Sequence, residues 1–121
     1  MARVERDVQE GRMVSYFVSY RGASPDAEAF LRHYSERHAG ILKDLPGLRG
    51  LVLHTPAAWR DPFPVNPGGR ILLAQMQFES VAALDAALAS EARARAREDF
   101  RSFPPFDGTV THQAMASTAV F

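Results

Sequence analysis

The 121-residue chain predicts an α+β domain with element order β-α-β-β-α-β. Its four strands would form an antiparallel sheet with two helices on one face. Three observations carry this expectation. Short segments rich in β-branched and aromatic residues recur along the chain, at Met13–Tyr20, Leu48–His54, Ile71–Phe78 and Val110–Ala119. Between them, two stretches repeat apolar residues at three- and four-residue spacing. Two βα units with a hairpin between them give the split βαβ, or ferredoxin-like, arrangement.

Each element has a local reason. In the first strand Val14, Tyr16, Val18 and Tyr20 fall on one face, and Met13, Ser15, Phe17 and Ser19 on the other. Arg21-Gly22-Ala23 is expected to break it. Ser24-Pro25-Asp26 then opens a helix, with Ser24 as cap, Pro25 in the first turn, and Asp26 and Glu28 at the positive end of the dipole. Ala27, Phe30, Leu31, Tyr34, His38 and Ile41 form its apolar stripe, to about Leu42, where Leu45-Pro46-Gly47 stops it. After the second strand, residues 55–69 form a long loop with four prolines, Pro56, Pro62, Pro64 and Pro67. Loops of that length in small domains are often functional. Ser80 caps a second helix on Val81, Leu84 and Leu88, and residues 90–100 continue it or restart it after a kink. Residues 1–12 are polar and aperiodic, and are expected to be a partly mobile leader ahead of one domain spanning 13–121.

Two helices cover only one face of such a sheet. A second copy of the chain is the expected cover for the other, where Leu72 or Leu73, and Val110, would otherwise be exposed.

Composition narrows the function. Fourteen basic residues balance fourteen acidic ones, so neither nucleic acid nor an anionic membrane is an expected partner. Cysteine is absent, which excludes disulfides, thiol nucleophiles and Cys-ligated metals. No apolar run reaches the ~20 residues of a membrane span. The charged N-terminus has no secretory h-region, and a cytoplasmic location is expected. Nucleotide-binding glycine loops and the GxSxG elbow are absent. His33 and His38 are five apart, which on a regular helix places them about 140° from each other, so no metal pair is expected. Arg93, Arg95 and Arg97 lie among Glu91, Glu98 and Asp99 and read as a solvated face.

His38 is the most informative residue. It shares the helix stripe with Phe30, Tyr34 and Ile41. A near-neutral imidazole beside an apolar pocket is a competent general acid or base; a buried, hydrogen-bonded structural His would show the same spacing. Tyr34 lies one turn earlier, and Tyr16 and Tyr20 alternate on the first strand. These phenols can stabilise an oxyanion or hold an aromatic ligand, or simply build an aromatic core. His54 and His112 sit at strand ends, where they could line a pocket mouth. Trp59 and Arg60, in the Pro-rich loop, could close on a ligand carboxylate or serve a dimer contact.

The segment YFVSYRGASPDAEAFLRHYSERHAGILKDLPGLRGLVLH resembles the opening of EthD-like proteins of the dimeric α/β-barrel superfamily. The resemblance lies in Phe30, Tyr34, His38-Ala39-Gly40-Ile41 and Pro46-Gly47; FESVAALDAALAS resembles the second helix of that family. It implies protomers pairing sheet to sheet into a barrel. It also implies a cofactor-independent lyase, isomerase or cyclase acting on an aromatic or polyketide-like molecule. His38 and Tyr34 would then be the catalytic pair, and Tyr16, Tyr20, Phe30, His54, Trp59 and Arg60 the substrate contacts, with no metal. A non-catalytic small-molecule binding protein, or a haem-associated member, are the alternatives on the same fold. Methylmuconolactone isomerases carry a Tyr in strand two and a Cys in strand three, where this chain has Leu51 and Met76; that argues against their reaction. Many members also have Pro where this chain has Gly40.

Overall fold

The computed structural model describes residues 12–121; except for Arg12, the expected leader lies outside the described residues. Strands β1 (Val14–Ala23), β2 (Gly50–His54), β3 (Arg70–Phe78) and β4 (Asp107–Ala116) form one antiparallel sheet in the order β2-β3-β1-β4. This is the predicted ferredoxin-like α+β arrangement. Helices α1 (Ala27–His33) and α2 (Ala39–Leu42) are joined through a π-helical turn (Tyr34–His38). Helices α3 (Val81–Leu88) and α4 (Glu91–Asp99) follow β3.

Several boundaries moved, each for a local reason. β1 does not stop at Tyr20. A register irregularity between Tyr20 and Arg21 lets it continue, with Gly22 opposite Gly108 on β4. Gly22 has φ +144, and a Cβ there would collide with the Asp107 carbonyl oxygen, so only glycine permits this close crossing. Asp26, not Ser24, caps α1: its side chain accepts from the Ala29 N–H at 3.0 Å. Ser24 instead donates to the Pro105 carbonyl at 2.7 Å, tying the helix entry to the segment before β4. The second helical region restarts rather than continues, because Ser90 caps α4 through the Arg93 N–H.

The helix-facing side of the sheet holds the core. Val14, Tyr16, Val18 and Tyr20 of β1 pair with Phe78, Met76, Ala74 and Leu72 of β3, and all eight are buried. The sequence predicts Leu72 or Leu73, and Val110, on the uncovered face. The register instead sets Leu72 and Val110 opposite Tyr20 on the helix side, because a one-residue difference in a strand flips the face. Leu73 does lie on the outer face, with Phe17, Val52 and Met115. That face also carries a polar network: Arg70 Nε donates to Ser19 Oγ at 2.7 Å and Gln75 Nε2 to Ser15 Oγ at 3.1 Å. Among the described residues no helix is long and apolar enough to cross a membrane.

Candidate functional site

The π-helical turn sets the geometry of the site. Ala39 N–H bonds to the Tyr34 carbonyl, five residues back, so one extra residue is accommodated per turn. The widened turn overrides the 140° separation that a regular helix would impose on His33 and His38. Both rings reach the same atom. His38 Nδ1 lies 2.9 Å, and His33 Nε2 3.1 Å, from Oδ2 of Asp99 at the end of α4. A carboxylate only accepts, so both imidazole nitrogens donate. Phe103 packs on both rings, with centroids 4.6 Å from His33 and 4.9 Å from His38.

The arrangement commits one nitrogen of His38 and leaves the other open. Nδ1–H is held by Asp99, which sets the tautomer; Nε2 then carries the lone pair. His38 is 6% exposed, and burial pulls its pKa below 6.5, against the raising influence of Asp99. The imidazole is therefore neutral near pH 7. Burial alone would raise the Asp99 pKa, but the hydrogen bonds from His38 and His33 outweigh it and hold the carboxyl below 3.8.

His38 lines a cavity of about 270 Å³ between helices and sheet. Tyr16, Val18, Tyr20 and Met76 form its floor, and Tyr34, Leu42 and Leu45 one wall. Arg93, Ala96, Arg97 and Phe100 of the α4 region line it too, with Val110 and His112 from β4. Tyr34 is fully buried and its ring centroid is 4.8 Å from that of His38. The Tyr34 hydroxyl is buried and has no hydrogen-bond partner among the described residues. Burial pushes the Tyr34 phenol well above its ordinary pKa, helped by neighbouring Tyr20, and burial does the same to Tyr20. Tyr34 thus offers a fixed, neutral O–H donor. His112 is drawn below 6.5 by burial and by the charges of Arg93 and Arg97.

Of the residues singled out from sequence, His38, Tyr34, Tyr16 and Tyr20 converge on this cavity. Phe30 does not: it is fully buried among Tyr20, Phe103 and Phe106, at 5.3, 5.4 and 5.5 Å between centroids. Its position is that of a core residue. His54 lies on the outer face, bonded through Nε2 to Gln75 Oε1 at 3.0 Å, because strand alternation points it away from the helices. Trp59 and Arg60 lie in the loop, which is exposed throughout, and neither lines the cavity. Among the described residues no group of three or more acidic or His side chains could hold a metal ion.

Sequence reasoning missed Asp99, Arg93 and Arg97. A signal for Asp99 was available: buried Ala92 and Ala96 continue to position 99 at helical spacing, so an acid there had to face inward. Arg93, Arg97 and Phe100 form the adjoining stripe, at the edge of the same buried face.

Residues 23–104 match the EthD domain. The chain belongs to the EthD family. No functionally curated protein matches the sequence. Solved structures show the same fold. An EthD family protein of Bacillus halodurans C-125 superposes with TM-score 0.70 at 20% identity, covering 88% of this chain and 99% of that one. A hydroxynitrile lyase from Passiflora edulis gives TM-score 0.64 at 15% identity, covering 92% and 98%. A monooxygenase of Streptomyces coelicolor, solved in complex with nanaomycin D, gives TM-score 0.61 at 16% identity, covering 95% and 94%. The EthD fold here is thus one that small enzymes of several reaction types share.

Proposed function

We propose that this EthD protein is a cofactor-independent enzyme that moves a proton on an aromatic or polyketide-like small molecule. One observation carries the reading: His38 presents a neutral imidazole, oriented by Asp99, to an apolar cavity. Nε2 of His38 abstracts a proton from carbon or from a phenolic oxygen of the bound molecule. Asp99 stays ionised and stabilises the imidazolium that forms. The negative charge left on the substrate oxygen accepts the hydrogen bond for which the Tyr34 hydroxyl has no partner among the described residues. The proton on Nε2 then returns at a second position, which gives an isomerase or cyclase, or assists departure of a leaving group, which gives a lyase. Binding of such a ligand to a Streptomyces coelicolor structure of the same fold supports the substrate class, and the hydroxynitrile lyase supports the reaction class.

The test is solvent deuterium exchange into a phenolic polyketide, followed by mass spectrometry. His38→Asn should fold as wild type and lose exchange by about 10²–10⁴-fold. Unchanged exchange in His38→Asn would overturn the mechanism. Ligand binding without any exchange by the wild type would establish the non-catalytic binding protein instead.

The protein also acts as a two-fold dimer in this reading. Phe17, Val52, Leu73 and Met115 on the outer sheet face are the apolar surface that a second sheet would cover, with Met115 51% and Val52 41% exposed in the single chain.

A further inference from the structure

The reading above leaves two charges unexplained. Arg93 and Arg97 stand one helical turn apart on α4, and both line the cavity. The sequence predicts a solvated face here, with Glu91, Glu98 and Asp99 beside the arginines. Two of those acids are engaged elsewhere. Asp99 is taken by His33 and His38, Glu98 pairs with Arg101 at 3.1 Å, and Arg95 pairs with Asp44 at 3.3 Å. Among the described residues, neither Arg93 nor Arg97 has a carboxylate partner. The guanidinium carbon of Arg93 instead lies 5.7 Å from the centroid of the Tyr16 ring, which holds it over the cavity floor. His112 lines the same cavity, where burial and then the charges of Arg93 and Arg97 lower its pKa.

We propose that Arg93 and Arg97 bind the carboxylate of an aromatic acid whose ring system fills the cavity toward His38 and Tyr34. This deepens the proposed function and rests on its assignment of the cavity. Two guanidinium forks on one helix face match a planar carboxylate in geometry and charge. The apolar floor of Val18 and Met76 with the rings of Tyr16 and Tyr20 suits the aromatic part. A cavity of about 270 Å³, near the lower end of ligand pockets, fits a body of one or two fused rings. The acid end is thereby held at the mouth, and the ring system is presented to the imidazole within.

The experiment compares 2-naphthoate with its neutral isostere 2-naphthamide by isothermal titration calorimetry on the full chain. Wild type should bind the acid at least ~10-fold more tightly, and added salt should erode that preference. Arg93→Gln and Arg97→Gln should each reduce the preference, and the double variant should abolish it. His38→Asn should keep the preference. Equal affinity of wild type for the two compounds would overturn the carboxylate site while leaving the cavity assignment standing. So would a preference that survives in the double variant or depends on His38. Binding of neither compound would overturn the cavity assignment, and the carboxylate site with it.

Discussion

At the scale of single residues, the Tyr34 hydroxyl separates stability from function. A buried donor without a partner costs about 1–3 kcal/mol, and it persists most readily where a ligand will satisfy it. Tyr34→Phe should therefore raise the free energy of unfolding, by up to roughly that amount, in a urea titration, while ligand binding or exchange falls. A destabilised Tyr34→Phe would mean that the hydroxyl is already satisfied. Asp99 gives a second test. It raises the His38 pKa and fixes its tautomer, so Asp99→Asn should move the acidic limb of the kcat/KM profile to lower pH. It should also reduce kcat by on the order of 10²–10⁴-fold. The linkage to stability has a definite sign. The folded pKa of His38 lies below 6.5, so its contribution is complete above that pH and is lost as pH falls through the folded value. The thermal midpoint should drop as pH falls below 6.5, and His38→Asn should flatten that slope.

At the scale of elements, the π-helical turn explains what was legible and what was not. The apolar stripe of the first helix was readable because Phe30 and Tyr34 keep their spacing before the extra residue enters. The inserted residue leaves no mark in hydrophobic periodicity, so the convergence of His33 and His38 on Asp99 was invisible; a regular helix forbids it. Asp99 lies 61 residues from His38 in sequence, a distance over which only the docked α4 creates contact. The strands were legible from alternation, but which face of β3 and β4 meets the helices depends on pairing register; alternation alone left Leu72 and Leu73 as alternatives and set Val110 on the wrong face. Deletion of Ser35, exposed within the turn, should restore a regular helix with the flanking stripe still in phase. Such wide turns are kept mainly at functional sites. The deletion variant should retain its circular dichroism and thermal midpoint while losing ligand binding. An unfolded deletion variant would show instead that the turn is required by packing.

At the scale of the whole molecule, the sheet separates two tasks. Its helix side, with the aromatic core around Tyr20 and Phe103, carries the cavity; its other side mixes Ser15, Ser19 and Gln75 with Phe17, Val52, Leu73 and Met115. Exposed Trp59 and Phe63, 61% and 73% accessible, extend apolar surface into the Pro-rich loop. A monomer rarely exposes a large apolar patch, and a two-fold axis would let each copy cover the outer sheet face of the other. The cavity opens between α4 and β4, on the opposite side of the sheet from this surface. Dimerisation and ligand binding should therefore be separable. Leu73→Glu places a charge in the middle of the outer face, where burial against a second sheet would cost several kcal/mol. Light scattering at micromolar concentration should give a dimer mass for wild type and a monomer mass for Leu73→Glu. The variant should bind 2-naphthoate as wild type does, since no residue of the cavity lies on that face. A monomeric wild type would remove the sheet-to-sheet dimer. Loss of binding on monomerisation would show that the partner copy shapes the cavity through the sheet.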